Sequence, residues 1–345
     1  MIPNPGSLSV SPEEDAPMRQ ILRNLQDFLQ SPSRHLLLDL RPRDAYANRH
    51  IVPSTNIPAA ELGERWYELP SKHVPMGILD TTEGESTGWL LEKGWQAHWK
   101  FRDVKEFWQA CEQAGVPVSN SDTLNSVEFP PKPWFLFSAC PFLVRHAPSI
   151  EKALEERDVL RCLDLGCGSG RDLAWLLGRG RWAATGVDCW SGALERAEML
   201  ARGIGRESQL ETWEAKIMSD GKWKFGERNS HRNGAEAAPH ANHEPEFWKQ
   251  ETYDLILMVR FLARALLPQL PYLLRPGGYL LVSQFVTDGV HVYHKPQDGP
   301  LRLQLGELRA MYENIEGVRM EVVEDVVESI EDGRPVNSFL ARRIA

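Results

Sequence analysis

The sequence predicts an α/β protein built as two units, each a sheet layered with helices. Three observations carry that expectation. In both halves of the 345-residue chain, short apolar runs alternate with segments of helical spacing. A stretch holding Pro117, Pro130, Pro131 and Pro133 separates the halves. In the second half a strand pattern runs into Gly166, Gly168 and Gly170 and leaves them as a helix. The length suffices for two separate cores.

Composition narrows the class. Hydrophobic residues at 42% and charged residues at 25% are ordinary for a globular chain. A net charge of -9 argues against a nonspecific polyanion binder, which would neutralise phosphates with clustered Lys and Arg, so nucleic acid is a disfavoured partner. The five cysteines (Cys111, Cys140, Cys162, Cys167, Cys189) are odd in number and show neither C-x-x-C nor zinc-site spacing. They are expected to be reduced thiols, with no metal site. The first residues have no signal or transit pattern, and no apolar run approaches the ~18 residues of a membrane span. A cytoplasmic protein is expected, with the nucleus as the alternative.

Residues 1–14 are rich in Pro, Ser and acids and are expected to be mobile. Met18, Ile21, Leu22, Leu25, Phe28 and Leu29 have helical spacing. His35 to Arg41 reads as a buried strand, Pro53-Ser54-Thr55-Asn56 as a turn, and Met76 to Leu79 as a second strand. Trp89 to Lys93 is a short helix ending at Gly94. The expected organisation is a first domain over 15–114, a linker over 115–144 and a second domain over 145–345.

In the second domain Val159 to Leu165 is a strand, Asp172 to Leu177 a helix, Ala183 to Asp188 a strand and Ser191 to Ala201 a helix. Residues 226–250 are polar and read as a mobile insertion, whose His231, His240 and His243 match no tight metal site. Tyr253 to Val259 is a near-continuous apolar run, as in a central parallel strand. A helix from Ala263 to Leu274, a strand from Tyr279 to Phe285, a helix from Leu305 to Tyr312 and two strands joined through Asp332-Gly333 complete the pattern.

The chemistry concentrates at the glycines. Residues without a side chain permit a tight turn and let backbone N–H groups approach a ligand. Asp188 closes the next strand, 18 residues after Gly170, where it can accept hydrogen bonds from both ribose hydroxyls of an adenosine. Two cofactor classes use this layout. A dinucleotide loop favours G-x-G-x-x-G, with a pyrophosphate at the helix N-terminus. Here the third glycine comes one residue early, and Asp164, two residues before the first, would repel a pyrophosphate but attract the ammonium of a methionine moiety. The spacing favours S-adenosylmethionine, and a dehydrogenase is the outside alternative.

Leu163-Asp164-Leu165-Gly166-Cys167-Gly168-Ser169-Gly170-Arg171-Asp172 resembles the first motif of class I S-adenosylmethionine-dependent methyltransferases. With Thr185-Gly186-Val187-Asp188 and Ala193 to Ala197 it is similar to the tellurite-resistance-type branch. Tyr253 to Ile256 and Leu274-Arg275-Pro276-Gly277-Gly278 resemble later motifs of the same family. The resemblance covers residues 145–345 and implies a Rossmann-like seven-stranded sheet whose last strand is antiparallel. It places Asp164 at the methionine amino end and Asp188 on the ribose. Gly166, Cys167, Gly168 and Gly170 would line the cofactor, Cys189 and Trp190 would flank the adenosine, and Ile217 and Met258 would complete the pocket. Lys216 stands where the family often has an acid near the adenine. Val259-Arg260-Phe261-Leu262 departs from the tetrad that acts on amide or adenine nitrogens. Arg260 and Arg264 are candidates for an anionic acceptor or for surface pairing, and His291 and Tyr293 for acceptor contacts.

In the first half Leu37-Leu38-Asp39-Leu40-Arg41, Asp44-Ala45-Tyr46, His50 to Pro53 and Asn56-Ile57-Pro58 resemble a rhodanese domain. Asp80 stands where the family carries its sulfur-bearing cysteine, and Glu83 and Glu85 replace its basic loop residues. A carboxylate cannot hold a persulfide, so this rhodanese-like domain is expected to be inactive, serving as scaffold, lid or protein-binding module. The resulting expectation is a methyltransferase with a small-molecule acceptor. An RNA or protein methyltransferase, and a non-catalytic cofactor-binding protein, are the alternatives.

Overall fold

The computed structural model describes residues 15–81, 85–120, 135–218, 221–226, 247–294 and 299–344. The expectations for 1–14, Glu83, the middle of the linker and 227–246 with its three histidines lie outside the described residues. Packing divides the chain into two units, Met1–Ser138 and Ala139–Ala345.

The first unit begins with helix α1 (Asp15–Gln30), which buries Leu25 and Phe28. Then follow β1 (Leu37–Asp39), α2 (Arg43–Asn48), β2 (Arg49–Ile51), β3 (Thr55–Asn56), β4 (Met76–Asp80), α3 (Glu85–Glu92), β5 (Ala97–Arg102), α4 (Lys105–Gln113) and β6 (Val118–Asn120). Strands β3-β1-β4-β5 form a parallel sheet. Successive side chains of a strand point to opposite faces. Leu37 and Leu79 therefore pack with Leu25, Phe28 and Phe107, while Leu38 and Ile78 pack with Leu62, Leu69 and Leu90. Strand β6 pairs with β2, and Val118 packs against the first core, so the start of the expected linker belongs to this unit.

The second unit runs α5 (Pro141–Ala153), β7 (Leu160–Leu165), α6 (Arg171–Leu177), β8 (Trp182–Asp188), α7 (Ser191–Gly203), β9 (Leu210–Ile217), β10 (Trp223–Phe225), β11 (Tyr253–Val259), α8 (Leu270–Leu273), β12 (Leu274–Thr287), β13 (Leu303–Gln304), α9 (Glu307–Glu313), β14 (Met320–Ser329) and β15 (Pro335–Arg343). The sheet order is β10-β9-β8-β7-β11-β12-β15-β14, with β13 on β12. Without the edge hairpin partner β10 and the two-residue β13, seven strands remain, and β15 alone among them runs antiparallel to its neighbours. One face buries Leu163, Leu165, Ile256, Met258, Leu280 and Val282 against α8, α9 and the Phe247-Trp248 segment. The other buries Cys162, Leu255, Leu257 and Leu281 against α5, α6 and α7. Asp254, 0% exposed at the start of β11, accepts the Arg161 N–H (2.7 Å) and pairs with Arg157 and Arg275.

Three sequence expectations need correction. The end of the linker is helix α5, begun by Pro141, a residue suited to a first turn because its missing N–H needs no partner there. The helix expected over Ala263 to Leu274 shrinks to a 3-10 turn (Leu267–Gln269) and α8, because Pro268 and Pro271 each remove a donor. The expected insertion ends early. Phe247 and Trp248 are buried and meet Trp213 and Trp223 in edge-on and tilted ring contacts. Replacing Trp248 by Ala is expected to lower stability by about 3–5 kcal/mol, measured by urea unfolding. A loss near zero would return Trp248 to a solvent-facing insertion.

Candidate active site

The C-terminal ends of β7, β8, β11 and β12 lie on one edge of the sheet. From β7 the chain adds β8 and β9 on one side and then crosses to β11 on the other. Open α/β sheets have their ligand crevice at such a reversal, outside the strand ends. On one side of it here is the glycine loop after β7, and on the other the segment after β11.

Gly166, Gly168 and Gly170 all adopt positive φ (75°, 54° and 71°). A Cβ on Gly166 would lie 2.3 Å from Cγ of Phe261, so the ring packs directly on that glycine. Around Gly168 a Cβ would meet nothing within 4 Å, so the backbone there is bare toward open space. The loop is held by the end of β8. The Val187 carbonyl accepts the N–H groups of Gly166 (2.8 Å) and Cys167 (3.1 Å). One carboxylate oxygen of Asp188 accepts the Gly168 N–H and the other the Trp190 N–H, both at 2.9 Å. Each oxygen keeps a second lone pair for a ligand hydroxyl.

Asp164 is 2% exposed, and among the described residues no Lys or Arg pairs with it. Burial, then the neighbouring carboxylates of Asp172 and Asp188, push its pKa well above the ordinary range. Asp172, also raised by burial, accepts the N–H of Cys140 at 2.6 Å. A buried carboxyl beside other acids is a site that a cation relieves.

The remaining expected residues divide. Trp190 is 68% exposed, and Cys189 beside it is exposed as well. The Cys167 thiol, pushed well up by burial, packs toward Gly186 as a wall. Ile217 ends β9 half-buried, opposite Trp223 of β10. Lys216 is exposed and faces Lys224 in the hairpin register. Met258 is 0% exposed within the core, so its expected place in the pocket is corrected: the alternation of β11 turns it inward.

Arg260 holds a left-handed backbone (φ 53°), donates its N–H to the Ser283 carbonyl (2.8 Å) and lies 3.7 Å from Glu331. Arg264 is occupied elsewhere: its guanidinium grips both oxygens of Glu307 (2.9 Å each) and the carbonyls of Pro300 and Arg302. The Tyr293 hydroxyl lies between the carbonyls of Val286 (2.7 Å) and Pro335 (2.8 Å), tying β12 to β15. His291 is held by its N–H to Asp288 and by the ring of Tyr293. Sequence reasoning missed Phe261, Arg171, Asp172 and Glu331. The signal for Phe261 was its place just after β11, and for Arg171 and Asp172 their place at the start of α6, where the glycine turn ends. Glu331 gave none, because the turn between β14 and β15 that brings it there is distant in sequence.

A model of a family described as a methyltransferase domain matches residues 143–319. The chain belongs to this methyltransferase family. It is an S-adenosylmethionine-dependent methyltransferase, and the residues at the edge fit that cofactor, with an uncompensated carboxyl for an ammonium and a bare glycine backbone beside a clamped acid. An uncharacterized protein of Schizosaccharomyces pombe is 34% identical over 325 residues, covering 89% of this chain and 93% of that one. Among solved structures, a Burkholderia thailandensis 1,6-didemethyltoxoflavin-N1-methyltransferase with S-adenosylhomocysteine aligns at 18% identity over 59% of this chain and 79% of that one, with a TM-score of 0.37. TehB from Haemophilus influenzae aligns at 19% identity over 56% of this chain and 61% of that one, with a TM-score of 0.38.

The raised carboxyl of Asp164 has a consequence for pH. The folded chain holds Asp164 protonated to a higher pH than the unfolded chain does. That contribution to stability is therefore complete at low pH and is lost as pH rises through the raised value. A cationic ligand binds the ionised form, so its affinity rises over the same interval. Titrating S-adenosylmethionine into the protein over a rising pH series is expected to show tightening in the wild type and a flat profile in Asp164→Asn. Equal slopes in both proteins would remove Asp164 from the site.

Proposed function

We propose that the second unit transfers a methyl group from S-adenosylmethionine to a small-molecule acceptor, in the crevice between the glycine loop and the segment after β11. The observation that carries this reading is the Asp188 carboxylate, fixed by Gly168 and Trp190 with lone pairs to spare at the strand-order reversal. In it Asp188 holds the ribose hydroxyls, Asp164 the methionine ammonium, and Gly166, Gly168 and Gly170 line the path between them. Cys167 is a wall, Ile217 borders the adenine, and Cys189 and Trp190 flank the adenosine. The cofactor supplies an electrophilic methyl on a sulfonium. What the chain supplies is alignment, worth roughly 7–11 kcal/mol in favourable cases.

The acceptor lies toward Arg260, whose left-handed backbone at the end of the central strand is the kind of strained geometry found at working sites. Arg260 suits an acceptor with an anionic group. A net charge of -9 disfavours RNA as the acceptor.

The first unit is read as a rhodanese-like domain without sulfur transfer. Asp80 is buried at the end of β4, where its oxygens accept the Thr81 N–H (2.8 Å) and the Thr87 hydroxyl (3.2 Å). Such a side chain ties the end of β4 to Thr87 of α3 and is itself no sulfur nucleophile, which supports a scaffold or protein-binding role. The five cysteines stand as free thiols, in keeping with a cytoplasmic location. Among the described residues no helix is long and apolar enough to cross a membrane.

Asp188→Ala is expected to weaken S-adenosylmethionine binding at least about 100-fold, two charged hydrogen bonds being lost, with the circular-dichroism spectrum kept. Unchanged affinity would overturn the site. Incubation with methyl-labelled cofactor and a cell extract is expected to put label in the small-molecule fraction. Label confined to RNA or protein would overturn the acceptor class.

A further inference from the structure

We propose that Phe261 is the residue by which the methyltransferase recognises the sulfonium charge of its cofactor, and so tells S-adenosylmethionine from the uncharged product S-adenosylhomocysteine. The proposal rests on the cofactor site described above.

Phe261 is the second residue past β11, the strand that faces β7 across the reversal. Its ring lies on Gly166: a Cβ built there would stand 2.3 Å from Cγ, 2.6 Å from Cβ and 2.7 Å from Cδ2 of Phe261. The ring therefore forms a wall of the crevice at the first glycine. Two features hold it there. Arg260, in its left-handed conformation with its N–H on Ser283, turns the chain back toward the loop. The ring is half-buried against the core cluster that includes Leu165 and Met258.

The crevice thus joins an aromatic wall at Gly166 to the buried carboxyl of Asp164, two residues earlier. Both attract cations, the ring through the negative potential of its face. The cofactor carries two cationic centres, an ammonium and a sulfonium. When the methyl leaves, the carbon–sulfur bond breaks, sulfur keeps the bonding pair and becomes a neutral thioether, and the acceptor gains the methyl. The ammonium survives this change, so Asp164 meets the same charge before and after transfer. Only a group beside the sulfonium can distinguish the two forms. With the ring on the first glycine, Phe261 is the group assigned to that place, and the loss of its interaction would favour exchange of product for fresh cofactor.

Calorimetry with both ligands tests the assignment on the full chain. Phe261→Leu, which keeps an apolar side chain on the glycine, is expected to lower the ratio of S-adenosylmethionine to S-adenosylhomocysteine affinity about 3- to 30-fold. Phe261→Trp is expected to preserve or raise that ratio, and Asp164→Asn to weaken both ligands together. If Phe261→Leu weakens both ligands equally, the ring is only a wall and the proposal falls while the cofactor site stands. If it tightens both, the ring obstructs the site, and the proposal again falls. Should Phe261→Leu not fold, a ratio lowered by Phe261→Trp overturns the proposal. If the wild type binds neither ligand, the site itself is wrong.

Discussion

Asp188 joins two loops that would otherwise move apart. One oxygen takes the Gly168 N–H from the turn after β7, and the other takes the Trp190 N–H from the turn after β8. Hydrogen bonds to a charged acceptor contribute roughly 1.5–3 kcal/mol each, enough to hold a three-glycine turn whose conformational freedom would otherwise be large. This side chain ties the open backbone at Gly168 to the entry of α7, while the Val187 carbonyl holds Gly166 and Cys167. The same carboxylate has lone pairs left, so the group that builds the loop is also free to meet a ribose.

Around this clamp the electrostatics are deliberately one-sided. Asp164 and Asp172 lie buried behind the loop, both driven toward the protonated form by burial, and Asp172 also takes an N–H from the start of α5. Such a cluster is costly by itself and is relieved by a bound cation. The charges of Arg171 and Arg260 partly oppose the shift at Asp172, whereas no cation does so at Asp164. Arg264 is committed to Glu307. Arg260 remains at the edge, within reach of Glu331 from the turn between β14 and β15. Phe261 follows Arg260 in the chain and covers Gly166 with its ring.

How much of this was legible in the sequence follows from how local each signal is. Gly166 to Asp172 and Thr185 to Asp188 are contiguous stretches in which strand, turn, helix and acid follow one another, and the structure keeps each where the sequence put it. Met258 was not legible as core, because a continuous apolar run does not reveal which face each side chain takes. Phe247 and Trp248 follow a polar run, and only the ring contacts with Trp213 and Trp223, distant in sequence, show that they close a core. The break in the helix after β11 follows from Pro268 and Pro271, which remove donors inside an otherwise helical apolar periodicity. Arg264 and Tyr293 looked available because their partners, Glu307 and Pro335, are tens of residues away.

Amide hydrogen exchange with and without S-adenosylmethionine tests the central claim most directly. If the glycine turn clamped by Asp188 is the seat of the cofactor, exchange slows at the amides of Gly166 to Gly170 and of Asp188 to Trp190, and most at these positions. Binding that leaves those amides unchanged and protects another part of the sheet would contradict the account.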